Sequence, residues 1–261
     1  MAFRFGLVTL FPDYFEAPLK SSLLGKALEE RTIEVAYVSP REFARDKFGH
    51  VDDAPFGGGA GMVMEAAPLA KAIQKAKALV QAKEAPVVLL SARGKRLTQP
   101  FVRNLAEGQG AILVCGRYEG VDDRLLNFVD HEACVTDVVL LGGEAAALVV
   151  IEAVSRLIPG VVGDPLSVSE ESFSDGLLEY PQFTRPRVFE GYSVPSVLFS
   201  GNHGKIRLFR RYHTLLTTFL NRPELLAQAN LGPMERRLLE KIQNRRYPYQ
   251  RGWIKRERGE P

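Results

Sequence analysis

Three glycine-rich segments carry the residues best suited to hold a ligand. They are Asp52-Asp-Ala-Pro-Phe-Gly-Gly-Gly-Ala-Gly-Met-Val-Met64, Cys115-Gly-Arg-Tyr-Glu-Gly-Val-Asp-Asp-Arg124 and Thr136-Asp-Val-Val-Leu-Leu-Gly-Gly-Glu144. Each follows or interrupts an apolar run and sets charged or aromatic side chains beside its glycines. Glycine allows close backbone approach and left-handed φ at little steric cost. Loops of this kind at strand ends read as a binding site on an α/β sheet. One alone could be an ordinary tight turn; three, each with polar partners, describe a site. No GxGxxG follows the first apolar run and no GxxxxGK[ST] string occurs, so a dinucleotide site, a Rossmann-type methyltransferase and a P-loop are all disfavoured.

Charge points to the partner. The net charge of +3 hides an asymmetry: from Lys205 onward there are fourteen Lys/Arg against five Asp/Glu, or +9, which leaves −6 on the rest. A basic final third on an acidic chain suits a polyanion, most readily nucleic acid, although a merely solvated face has the same composition. Two cysteines, Cys115 and Cys134, with no CxxC or Cys/His zinc spacing, fit a reducing cytoplasm. The first residues show no signal-peptide layout, and the run Ala145–Ile158 is broken by Glu152, Ser155 and Arg156, so no membrane span is expected.

The elements that must position these loops follow from periodicity. Apolar runs at Phe3–Leu10, Ile33–Val38, Pro86–Leu90 and Ala111–Val114 read as buried strands, with a shorter pair at Ala133–Val135 and Val138–Leu140. Helical spacing occupies Leu19–Glu30, with Leu19, Leu23, Leu24 and Leu28 on one face, and also Ala67–Gln81, Thr98–Glu107 and the small-residue-rich Gly142–Leu157. Alternating strands and helices predict an α/β fold with a parallel sheet covered on both sides. Residues 161–200 read as a linker. Helices follow, the first with Ile206, Phe209, Tyr212, Leu216 and Phe219 at helical spacing and Lys205, Arg207, Arg210 and Arg211 between them. Pro223 and Pro233 open two more, and residues 247–261 form a basic, aromatic tail able to stack on bases or to fray.

The strings Asp52–Met64, Cys115–Arg124 and Val135–Glu144, with Arg156–Gly163, Glu170–Pro186 and Val194–His203, closely resemble the bacterial tRNA (guanine-N1)-methyltransferases of the SPOUT superfamily. The resemblance runs from Gly6 to about Leu226. It implies a SPOUT-type parallel sheet with a deep trefoil knot over residues 1–160, a linker at 161–200 carrying the catalytic carboxylate, and a small all-helical tRNA-binding domain at 201–246. A homodimer with its sites at the subunit interface is also implied.

That family transfers methyl from S-adenosylmethionine to N1 of the guanine 3′ of the anticodon, position 37, with magnesium as an auxiliary ion. Carried over residue by residue, the donor pocket comprises Leu90, Ser91, Gly116, Tyr118, Glu119, Val135, Thr136, Asp137, Val138, Val139, Leu140, Gly142 and Gly143. The general base maps onto Glu171, where the family has aspartate, with Asp175 as the neighbouring carboxylate. The charge-balancing arginine maps onto Arg156. Glu119 or Asp122 could read the guanine edge, and Lys205, Arg207, Arg210 and Arg211 would hold RNA. Further departures are Ser91-Ala-Arg-Gly94, Thr136 for glycine and Val138 for an aromatic. No residue set has dedicated metal-ligand spacing. The four histidines, His50, His131, His203 and His213, are given no catalytic part. A rival reading is an RNA-binding relative of the same fold that has lost catalysis.

Overall fold

A computed structural model describes residues 2–82, 84–163 and 171–244. Glu170 and the tail from Arg245 to Pro261, both singled out in the sequence, lie outside the described residues. The chain divides into two compact units, Met1–Pro165 and Leu166–Pro261.

In the first unit the order is β1 (Phe3–Val8), α1 (Glu16–Leu19), α2 (Ser22–Glu29), β2 (Ile33–Val38), β3 (Asp52–Asp53), β4 (Val63–Met64), α3 (Ala66–Val80), β5 (Val87–Arg96), α4 (Gln99–Glu107), β6 (Gly110–Cys115), β7 (His131–Cys134) and α5 (Gly143–Ser155). Five strands make one parallel sheet, ordered β2-β1-β6-β5-β7. Successive side chains on a strand point to opposite faces, and here both faces are buried. Leu7, Val88, Leu90, Leu113 and Cys115 join one core with Leu105, Val150 and Val154, while Val8, Leu89, Ile112 and Val114 join the other with Leu69, Ile73 and Val80. The apolar runs are continuous for that reason.

Four local expectations are corrected. The Leu19–Glu30 helix breaks into α1 and α2, because Ser22 takes φ +52°, and Leu23 turns out to solvent. Strand β5 runs to Arg96 instead of stopping at Leu90. A bulge at Ser91–Gly94 lets Lys95 and Arg96 pair again with Ala133 and Cys134. Only glycine fits at 94, where an added Cβ would lie 2.5 Å from the Ala133 nitrogen. Val138–Leu140 is not a strand; it forms an exposed loop beyond β7. Finally, α5 ends at Ser155 rather than Leu157, because Leu157 and Ile158 donate to the carbonyls of Val154 and Ser155 in tighter i→i+3 turns.

The second unit holds a two-residue hairpin, β8 (Val188–Phe189) and β9 (Tyr192–Ser193), inside the stretch read as irregular. Then come α6 (His203–Asn221), α7 (Pro223–Gln228) and α8 (Pro233–Gln243). Asn202 caps α6 by accepting from the Lys205 N–H at 3.0 Å. Its core is Leu177, Leu215, Leu216, Leu231 and Ile242. The expected stripe is therefore rotated: Ile206, Phe209, Tyr212 and Phe219 are half-buried, and the inner face centres on Thr214, Leu215 and Thr218. Among the described residues no helix is long and apolar enough to cross a membrane.

Candidate ligand site at the strand ends

Parallel strands in an α/β sheet leave a crevice beyond their carboxyl ends. Here the bulge of β5 and the ends of β6 and β7 border one cavity of about 340 Å³, the size of a small-ligand pocket. Its walls include Leu90, Ser91, Gly116, Tyr118, Glu119, Val135, Thr136, Val138, Val139, Leu140, Gly142 and Gly143. Of the donor-pocket residues named from the sequence only Asp137 is outside the lining; it is exposed, 3.8 Å from Arg96.

Backbone hydrogen bonds join the glycine-rich segments. Glu119 N–H donates to Met62 O at 3.0 Å, Met64 N–H to Gly120 O at 2.9 Å, and Gly143 N–H to Gly116 O at 2.8 Å. Gly143 opens α5 directly against β6. An added Cβ there would lie 2.7 Å from Cys115 Cα, so any side chain must displace the helix start. Among the described residues, no backbone N–H from Val135 through Gly142 donates to a backbone carbonyl. Polar backbone edging a half-apolar cavity suits a ligand carrying both ring and polar groups.

A cluster not foreseen from the sequence supports this loop from below. Glu144 is 1% exposed; one carboxylate oxygen accepts from Thr9 Oγ1 at 2.8 Å and the other lies 2.8 Å from Arg117 Nε. Arg117 also donates to Leu141 O at 3.2 Å and lies over the Phe11 ring at 4.4 Å. The Gly142–Gly143–Glu144 string was a signal for it: an acid in the first turn of a buried helix needs a cation or donors. Burial first, and then Glu144, pushes the neighbouring Cys115 thiol well up, which makes it an inert core residue. Arg117→Ala strands a buried carboxylate, so a loss of about 3 kcal/mol or more in unfolding free energy is expected. Urea denaturation measures it.

The rim is charged. Arg93 donates to Asp123 at 2.7 Å and lies 3.6 Å from Glu132. Asp122 accepts from the Arg124 side chain and backbone, bonds that hold its carboxyl below the usual range and occupy it within its own loop. Phe56, at the tip of the β3–β4 ribbon, is fully exposed. No group of three or more His, Cys, Asp or Glu set to hold a metal occurs among the described residues. His50 pairs with Asp46 at 2.6 Å, exposed His131 stacks edge-on against Phe101, His203 begins α6, and buried His213 packs on Phe209.

Arg156 caps the C-terminal end of α5, with its side chain exposed. In the second unit, Glu171 begins a turn that closes at Glu179, beside a hollow of about 390 Å³ bounded by Asp175, Tyr180, Arg207 and Arg210. Lys205 and Arg207 are exposed on α6, and Arg210 lies over the Tyr180 ring at 4.8 Å. Arg211 differs from them: it turns inward and pairs with Asp175 and Glu235. Burial opposes its charge, but the two carboxylates outweigh burial and raise its pKa.

Comparison with known proteins gives this geometry a family. Residues 3–228 match the family described as tRNA (Guanine-1)-methyltransferase TrmD. A tRNA (guanine-N(1)-)-methyltransferase of Moorella thermoacetica is 48% identical over 243 residues, covering 93% of this chain and 97% of that protein. Proteins of the same name from Geotalea uraniireducens and Pasteurella multocida are 48% and 47% identical over 241 and 238 residues, again spanning 97% of each relative.

Proposed function

The chain belongs to the tRNA (guanine-1)-methyltransferase family, and on that premise we propose that it transfers methyl from S-adenosylmethionine to N1 of the tRNA guanine at position 37. The observation that carries this reading is the strand-end cavity, with its half-apolar walls and its loop of N–H groups that, among the described residues, meet no backbone carbonyl. Leu90, Val135 and Leu140 would flank the donor's purine ring, and backbone groups of residues 135–142 would meet its polar edge and the ribose.

When bound, the donor supplies an electrophilic methyl carbon. Glu171 accepts the N1 proton, the N1 electron pair forms the new bond to that carbon, and the broken S–C pair stays on sulfur. Charge appearing on guanine O6 is balanced by the Arg156 guanidinium. Tyr118 and Glu119 shape the guanine side of the pocket. No acidic cluster among the described residues fits magnesium.

The reading includes a homodimer whose sites are completed across the subunit interface. Val139 and Leu141 on the cavity wall, 88% and 94% exposed, and Phe56 on the β3–β4 ribbon, 101% exposed, support it by the apolar area they would bury. The reading also includes the knotted fold of the family. Lys205, Arg207 and Arg210 on α6 hold RNA backbone, and the glycine-rich β3–β4 ribbon closes over the base. The setting is the cytoplasm, where tRNA is modified.

Transfer of labelled methyl from S-adenosylmethionine to undermodified tRNA, with the modified nucleotide mapped, tests the reading. The expected product is methylguanine at position 37 alone. Donor and tRNA both bound without transfer would instead favour the catalytically impaired RNA-binding relative. The RNA contacts are tested separately by salt. The logarithm of tRNA affinity should fall with that of salt by about 0.7–0.9 per phosphate neutralised. Replacing Lys205, Arg207 and Arg210 by Gln together should reduce that slope by about two to three and leave donor affinity unchanged. A slope equal to that of the wild-type protein would mean the basic face is only solvated.

A further inference from the structure

The turn that carries Glu171 is held by its own hydrogen bonds. Ser174 N–H donates to Glu171 O at 3.1 Å, Phe173 N–H to Leu177 O at 2.6 Å, and Glu179 N–H to Ser172 Oγ at 3.0 Å. Phe173 and Gly176 take φ of +72° and +80° to close it. Two anchors tie it to α6. Leu178 N–H donates to Thr218 Oγ1 at 3.0 Å, a hydroxyl that itself donates to Thr214 O at 2.7 Å. The other anchor is Arg211, whose Nη1 bonds Asp175 within the turn. Positions 211 and 218 are two helical turns apart and share one face, so the anchors grip the turn side by side.

Arg211 also reaches α8, through Nε to Glu235 Oε1, while the second oxygen of Glu235 caps the start of that helix at Gly232 N–H. One guanidinium thus joins the turn to two helices. A planar fork can serve two carboxylates in fixed directions, which an ammonium cannot. A cation already shared between two carboxylates has little charge to offer a phosphate.

We infer that Arg211 is a positioning residue for methyl transfer: it braces the Glu171 turn through Asp175 and Glu235 rather than gripping tRNA. The inference rests on Glu171 being the base. Proton transfer demands hydrogen-bond reach, and misplacement by about 1 Å from a distant change can cost about a hundredfold in rate.

The test uses the full-length chain as Arg211→Gln, Arg211→Lys and Asp175→Asn, with single-turnover rate at saturating tRNA and donor, tRNA affinity, and amide hydrogen exchange of residues 171–179. Arg211→Gln should slow the rate about ten- to hundredfold and speed exchange at Phe173, Ser174, Leu178 and Glu179, with tRNA affinity little changed. Asp175→Asn, an exposed change that spares both helices, should reproduce both effects. Arg211→Lys should recover part of each. If Arg211→Gln loses tRNA affinity while rate and exchange stay as in the wild type, Arg211 is a phosphate contact and the inference fails. Faster exchange with an unchanged rate overturns it as well. Failure of the base assignment shows separately, as full rate in Glu171→Gln, and leaves the exchange result to judge the brace.

Discussion

Glu171→Gln should bind tRNA and methyl donor as the wild type does yet lose about two to four orders of magnitude in single-turnover rate, the usual range for removing a general base. The amide keeps the shape of the side chain and removes only its capacity to accept the N1 proton. Glu171→Asp should retain substantial activity, because both carboxylates have similar reference pKa values and differ by one methylene of reach. Asp175→Asn should cost less than Glu171→Gln, since Asp175 is already engaged by Arg211 and holds the turn rather than the proton. Rapid-quench assays with labelled donor measure all three. If Glu171→Gln methylates at nearly the wild-type rate and Asp175→Asn is dead, the base is Asp175.

Gly143→Val should abolish binding of both S-adenosylmethionine and its demethylated product, with the fold retained. Donor binding is expected without tRNA, because the cavity is bounded within the first unit alone. At position 143 an added Cβ meets Cys115 Cα at 2.7 Å and Gly116 nitrogen at 2.9 Å. Neither backbone can yield, since β6 is the sheet's central strand. The start of α5 must instead lift, breaking the Gly143 N–H to Gly116 O bond and carrying Gly142 and Leu141 away from the cavity. Calorimetry measures the loss and circular dichroism confirms the fold. Unchanged donor affinity in this variant would place the donor elsewhere.

Most of the lining of the strand-end cavity was legible in the sequence because its parts are short and local. Gly116, Gly142 and Gly143 stand out by type, and the strands ahead of them announce themselves by continuous apolar runs. What escaped was pairing across distance. Nothing near Glu144 in sequence reveals that Thr9, 135 positions away, will donate to it. Nor does anything near Arg211 reveal Asp175, 36 positions earlier. Arg211 looked like its neighbours Arg207 and Arg210, and only the rotation of α6 about its axis separates one half-buried arginine from two exposed ones.

By itself, then, the sequence determined the α/β class, the glycine loops, the family and the polarity of the basic end. Each of these depends on residue type within a window of a few turns or one strand. Tertiary structure alone decided that β5 pairs with β7 a second time past a bulge, that Val138–Leu140 stays exposed rather than joining the sheet, and which arginine is spent inside the protein. Those outcomes depend on which surfaces meet once the strands have chosen neighbours, and contact between segments 30 to 130 residues apart leaves no periodic trace in either segment.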